Sequence, residues 1–197
     1  MLLITKKDEI MAKTTNSPNT SQKVPTAQGT GYPAPPQLST PSRIKPAGVK
    51  AITEALNPLV ADGFALYIKT KNFHWHLATP HFRDYHLLFD EHASQIFETI
   101  DPLAERVRKI GGTTVRSVSH IASLTQIKDE NREFVTADEM VLMLAEDNLA
   151  LNAAMLKAHK ICEENEDVAT ASILEVFIDE AERRVWFLNQ IVPGSKL

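Results

Sequence analysis

The chain has one cysteine, Cys162, in 197 residues. A lone thiol cannot close an internal disulfide, which excludes a disulfide-stapled secreted domain and makes a reducing cytoplasm the expected compartment. Cys162 is expected to be a small buried helix residue rather than a reactive group. Long apolar runs are missing too. No stretch approaches the roughly 18 consecutive apolar residues of a membrane span, so no membrane partner is expected. Met1-Leu2-Leu3-Ile4 is too short for a signal-peptide core, and its lysines follow it instead of preceding it. Residues 1–47 contain no Phe or Trp and one Tyr, yet hold seven of the eleven prolines. Such a segment cannot bury enough apolar surface to offset its ordering entropy, and it is expected to be a disordered tail.

What is present divides the chain again, by charge. The net charge of −4 conceals an imbalance. Residues 1–50 carry seven basic and two acidic side chains, while the remaining 147 carry 14 basic and 23 acidic ones. A tail of +5 on a body of −9 favours anionic partners for the tail and cations for the body.

From residue 48 onward the apolar spacing is helical, and no segment reads as a strand. Helices are expected over about 51–78, 82–110, 137–164 and 168–192, with a short connecting helix over 117–124. In the first, Ile52, Leu56, Leu59, Gly63, Leu66, Thr70, Phe73 and Leu77 make the inner stripe, and Pro58 should bend its early turns. In the second, Phe89, Ile96, Leu103 and Ile110 recur every seven residues and Gly111-Gly112 is a stop. Thr136 with Glu139 forms a capping-box pattern before the third. Four long helices in 48–197 specify an all-α four-helix bundle.

Five of the seven histidines (74, 76, 81, 86 and 92) fall within nineteen residues, beside Asp84, Asp90 and Glu91. Histidine with carboxylate is a ligand set suited to first-row ions such as Fe(II). On the second helix, His86, Asp90, Asp101 and Glu105 fall within roughly 100° of arc. Yet His86 and Glu105 are separated by about 28 Å along the axis. One copy of the helix cannot unite them. Two antiparallel copies crossing between residues 95 and 96 can, because both pairs, His86/Glu105 and Asp90/Asp101, are centred there. Two symmetric sites would result, as a two-fold interface requires.

The runs Asn72-Phe73-His74-Trp75-His76, Pro80-His81-Phe82-Arg83-Asp84-Tyr85-His86-Leu87-Leu88-Phe89-Asp90-Glu91 and Asp101-Pro102-Leu103-Ala104-Glu105-Arg106, followed by Gly111-Gly112, resemble the Dps family of dodecameric miniferritins. The resemblance covers about residues 50–192 and implies a ferritin-like bundle. It further implies a ferroxidase whose iron ligands are His74, His86 and Asp90 of one subunit and Asp101 and Glu105 of the two-fold neighbour. His74, Asp101 and Glu105 would do the principal ligation, with His86 and Asp90 serving a second, weaker position. Twelve subunits would form a shell that oxidises Fe(II), preferably with hydrogen peroxide rather than O2, and stores ferric mineral. Trp75 would be either a trap for stray oxidising equivalents or an interface aromatic. Glu163, Glu164, Glu166 and Asp167 match an acidic three-fold pore in position and equally suit a solvated helix end. His76, His81, His92, His120 and His159 match no ligand position. Thr79 stands where many members have Gly, and Pro102 interrupts the Asp101–Glu105 pair; both departures bear on site geometry.

A second class of function is non-specific DNA binding through the tail, with the shell a DNA-compacting or nucleoid-associated protein and iron oxidation secondary. A third, another di-iron bundle enzyme, is disfavoured because no Glu is followed by His three residues later.

Overall fold

The computed structural model describes residues 32–192, and these form five α-helices and one 3-10 turn, with no strand among the described residues. Helix α1 spans Pro46–His76, α2 Phe82–Lys109, α3 Val118–Leu124, α4 Ala137–Glu164 and α5 Val168–Ile191. Helices α1 and α2 pack as one hairpin and α4 and α5 as another. The hairpins meet through α1 against α4 and α2 against α5, and α3 lies on α1 within the long α2–α4 connection.

Each boundary has a local cause. Pro46 occupies the first turn of α1, where its missing N–H costs nothing and its fixed φ suits a helix. The helix therefore begins inside the proline-rich segment, slightly ahead of the expected start, and runs on through Pro58. Residues 32–45 also take a defined course: Arg108 Nη2 donates to the Leu38 carbonyl at 2.7 Å, and Tyr32 and Ile44 pack against the core. The rest of the expected tail, residues 1–31, lies outside the described residues. Helix α2 closes on Gly111 at φ +99°, with Gly112 N–H donating to Val107 O at 2.9 Å and Gly111 N–H to Arg108 O at 3.1 Å. That αL stop is one a Cβ would strain. The Thr136–Glu139 capping box forms as expected at α4.

The interior takes up the stripes expected on α1 and α2, with apolar side chains of α4 and α5 packed against them. Ile52, Leu56, Leu66, Phe73, Phe89, Ile96, Leu103, Met140, Leu144, Leu174 and Leu188 are fully enclosed. At Gly63 a Cβ would come within 3.0 Å of Ile100 Cγ1, so the α1–α2 crossing uses a glycine to approach closely. One buried polar layer was not foreseen. Arg184, 1% exposed, donates from Nε to Asn148 Oδ1 at 2.8 Å, and Asn148 in turn donates to Leu144 O at 2.7 Å.

Candidate metal centre

The hairpin between α1 and α2 decides which histidines meet. His74 lies in the last turn of α1 and His86 in the second turn of α2, so the connection over residues 77–81 folds one against the other. Phe82 N–H donates to Thr79 O at 3.0 Å in that turn. Thr79 does not adopt positive φ there; among the described non-glycine residues only Glu166 does. The turn accordingly needs no glycine at this position.

The two imidazoles stack with centroids 3.7 Å apart and planes inclined by 19°. Each bonds the other's backbone: His74 Nδ1 lies 2.8 Å from His86 O, and His86 Nδ1 lies 3.0 Å from His74 O. A carbonyl oxygen only accepts, so both Nδ1 atoms must carry hydrogen. In the neutral rings both Nε2 atoms then keep their lone pairs, which is the tautomer a metal-binding histidine needs. Phe82 stacks on the outer side of His86 at 4.9 Å. The donor chemistry of the pair, two imidazoles with Nε2 left as the acceptor, thus fits a divalent ion.

Asp90 is one helical turn beyond His86, and its carboxylate is occupied. Lys71 Nζ donates to Asp90 Oδ1 at 2.6 Å, an ion pair between α1 and α2. That bond, ahead of the field of His74 and His86, holds the Asp90 carboxyl below its ordinary value. The same ammonium stands 5.9 Å from the Trp75 ring centroid, and Trp75 is itself exposed. Lys71 was missed in the sequence. Its signal was its place three residues before His74, on the same face of α1.

Asp101 and Glu105 do not join this group. Both are exposed on the distal part of α2, where Glu105 Oε2 accepts from Lys109 Nζ at 2.7 Å in a surface pair. The helix continues through Pro102. Among the described residues, no three His, Cys, Asp or Glu side chains of one chain converge on a metal-binding point. The structure brings together His74 and His86, places Asp90 one turn beyond His86 in an ion pair with Lys71, and leaves Asp101 and Glu105 apart.

The remaining histidines hold other places. His76 and His81 are exposed, and His159 sits between Glu163 and Glu175 at the α4–α5 surface. His120 is buried. His92 is buried against α5, and burial, followed by the nearby Arg184 and Arg183, pushes its imidazole down to about 3. Of the acidic cluster, Glu163, Glu164 and Glu166 face outward. Asp167 does not: it is 4% exposed, caps α5 by accepting from Thr170 N–H at 3.2 Å, and pairs with Arg106 Nη2 at 2.7 Å. An internal ion pair thereby removes one of the four candidate pore residues. Cys162 is enclosed as expected, and burial pushes its thiol up to about 12.

Several apolar side chains of α1 and α2 remain uncovered, Ile68, Trp75, Phe82, Leu87 and Phe97 among them. Phe97, tilted against Tyr67 with centroids 5.0 Å apart, lies beside the midpoint of α2 on which the His86/Glu105 and Asp90/Asp101 spacings are centred.

The ferritin-like domain model matches residues 53–193. The chain is 32% identical over 145 residues to the DNA protection during starvation protein 2 of Bacillus anthracis, a match covering 72% of this chain and 99% of that protein. A crystal structure of a Dps protein from Bacillus brevis superposes with a TM-score of 0.72 at 32% identity, covering 76% of this chain and 99% of the other. The Dps protein of Vibrio cholerae, described as a member of a broad superfamily of ferritin-like diiron-carboxylate proteins, superposes with a TM-score of 0.71 at 25% identity over 74% of this chain and 91% of its own.

Proposed function

Because this chain belongs to the ferritin-like family and within it to the Dps proteins, we propose that it oxidises Fe(II) at centres completed between two subunits and thereby protects DNA. An iron-related, DNA-protecting role follows from the family. The finer reading rests on one observation above all: the reciprocal Nδ1 bonds of His74 and His86, which leave both Nε2 atoms free to ligate, while among the described residues no carboxylate completes a metal-binding group with them.

In this reading His74 of one subunit faces Asp101 and Glu105 of its two-fold neighbour, and iron is the substrate held between them. The exposed Phe97, Trp75 and neighbouring apolar side chains supply the surface that the neighbour covers. The carboxylates provide hard oxygen donors that favour Fe(III) over Fe(II), which lowers the barrier to electron loss. Hydrogen peroxide is the preferred oxidant, with O2 the slower alternative. Each of two Fe(II) ions gives one electron, and peroxide takes up two protons and leaves as two waters, so no hydroxyl radical is released. Twelve subunits close into a shell of about 260 kDa, twelve times the 21.9 kDa chain. The ferric product is stored inside. The working compartment is the cytoplasm.

The test combines native mass with stopped-flow Fe(II) oxidation by peroxide, using wild type, His74→Gly, and Asp101→Ala with Glu105→Ala. Shells of unchanged mass in which both variants oxidise iron at least about tenfold more slowly are expected, a loss of roughly 1.4 kcal/mol of barrier lowering. Unchanged rates would refute the ligand set, and a stable monomer would refute the shared centre.

A second reading, DNA binding by the tail itself, is favoured by the seven basic against two acidic residues in positions 1–50. Several tails on one shell would engage a duplex together, so weak single contacts would add.

A further inference from the structure

The bundle interior holds a positive charge that no carboxylate meets. Arg184, 1% exposed, is the most enclosed charged side chain among the described residues. Its Nε donates to Asn148 Oδ1, and Asn148 is then spent, because its own amide donates to Leu144 O. Arg184 Nη1 is enclosed with no hydrogen-bond partner. Other cations that enter the bundle are paired, Lys69 with Asp147 and Arg106 with Asp167. Arg184 has only the field of Glu180, one turn earlier on α5. Burial, working against that field, pushes its guanidinium down to about 10, which leaves it charged at neutral pH.

A second orphan lies in the same seam. His92 of α2, 3% exposed, encloses an Nδ1 that also lacks a partner. Its ring stands edge-on to Phe187 with centroids 6.5 Å apart, and Phe187 follows Arg184 by three residues on α5. The charge of Arg184 is felt at His92. Both orphans therefore belong to the contact between α2 and α5.

We propose that this seam binds one small monovalent anion, of the size and charge of chloride, between Arg184 Nη1 and His92 Nδ1. The guanidinium has donors only, and a neutral imidazole with its hydrogen on Nδ1 adds another. Enclosed donors beside an unbalanced positive charge select an acceptor that brings negative charge. Water would satisfy the hydrogen bonds and leave the charge unbalanced, which is costly in an interior. A metal ion would be repelled. Burial sets the size limit, since side chains exposed by 1% and 3% leave no passage for a bulky organic anion. Bundle interiors that take metal ions are lined by carboxylates, and this layer has the opposite polarity. The site is separate from the His74–His86 pair and does not depend on the shared-centre reading. Once bound, the anion ties the middle of α2 to α5, so the stability of the shell rises with chloride.

The experiment uses the assembled shell. Crystals grown without chloride and with sodium bromide are measured at the bromine absorption edge. An anomalous peak between Arg184 and His92 is expected in wild type and none there in Arg184→Met. In solution, thermal midpoints at neutral pH are compared in chloride and in gluconate at equal ionic strength. Chloride should raise the wild-type midpoint by at least about 3 °C over gluconate, and that of Arg184→Met by less than about 1 °C. His92→Phe keeps the cation and removes one donor, so its response should need at least about tenfold more chloride. If Arg184→Met does not assemble, the wild-type bromide map and His92→Phe decide the matter. A seam that shows water and no bromide would overturn the proposal. So would an equal chloride response in wild type and both variants, or a Glu180 carboxylate bonded to Nη1.

Discussion

His74 and His86 lock each other: each Nδ1 is bonded to the other's backbone carbonyl, at 2.8 and 3.0 Å, and their rings stack 3.7 Å apart. They stand twelve positions apart in the chain, and each ring is held against turning by its bond to the other residue's backbone. The lock fixes the tautomer, and the tautomer fixes which nitrogen is offered to a metal. It also joins the end of α1 to the start of α2, so the hairpin that positions the histidines is held by the histidines themselves.

Asp167 holds the opposite end of the bundle. It caps α5 and pairs with Arg106 of α2 in a nearly closed setting. Breaking a buried pair while removing a helix cap should cost about 3 kcal/mol or more. Asp167→Ala is therefore expected to lower the thermal midpoint of the shell by several degrees while leaving iron oxidation per folded shell unchanged. Altered iron uptake at normal stability would instead return Asp167 to the pore.

His92 makes stability depend on acid. Its imidazole is pushed down to about 3 in the fold, against roughly 6.5 in the unfolded chain. The unfolded state thus takes up a proton that the folded state refuses, and stability falls as pH drops from about 6.5 toward 3. The slope is about 1.4 kcal/mol per pH unit for this group, or about 2 kcal/mol between pH 7 and pH 5. Chemical denaturation of wild type and His92→Leu at both values should show a smaller acid loss in the variant. Parallel losses would mean that His92 is protonated in the fold.

The tail prediction turns on where the body begins. Residues 32–45 lie against the α2 terminus under the Arg108 side chain, so the informative truncation removes 1–31, with Lys6, Lys7, Lys13 and Lys23. Binding to a duplex should be independent of its sequence, weaken steeply with salt, and be lost on truncation, because the remaining residues 32–197 carry −6 and repel phosphate. Gel shifts at low and moderate salt test this. Equal binding by the truncated shell would remove the tail from the account, while iron oxidation should be the same for both.

The sequence disclosed the bundle well because its stripes are regular. The ends of α2, α4 and α5 fall within a residue of their expected positions, since Gly111-Gly112, Thr136 and Asp167 are local signals that tertiary contacts did not override. The start of α1 was obscured by composition: the prolines that mark residues 1–47 as unlike the rest also supply Pro46, a good first residue for a helix. Of the centre, His74, His86 and Asp90 could be named from spacing and resemblance, and the structure stacks the two histidines while pairing Asp90 with Lys71. Lys71 could not, because a lysine on a helix face usually points to water. Nor could the Arg184–Asn148 layer, whose residues carry no periodic signal and meet only across packed helices.

The claim on which the rest depends is that each centre draws ligands from two subunits. Shells of His74→Gly and of Asp101→Ala with Glu105→Ala, dissociated, mixed in equal amounts and reassembled, test it most directly. In each mixed two-fold pair one centre regains every ligand and the other loses all three. Random pairing makes half the pairs mixed, so peroxide-driven Fe(II) oxidation should recover to about one quarter of the wild-type rate. If the mixture stays as slow as its two parents, although native mass spectrometry finds mixed shells, the centre is built within single subunits and the account is contradicted.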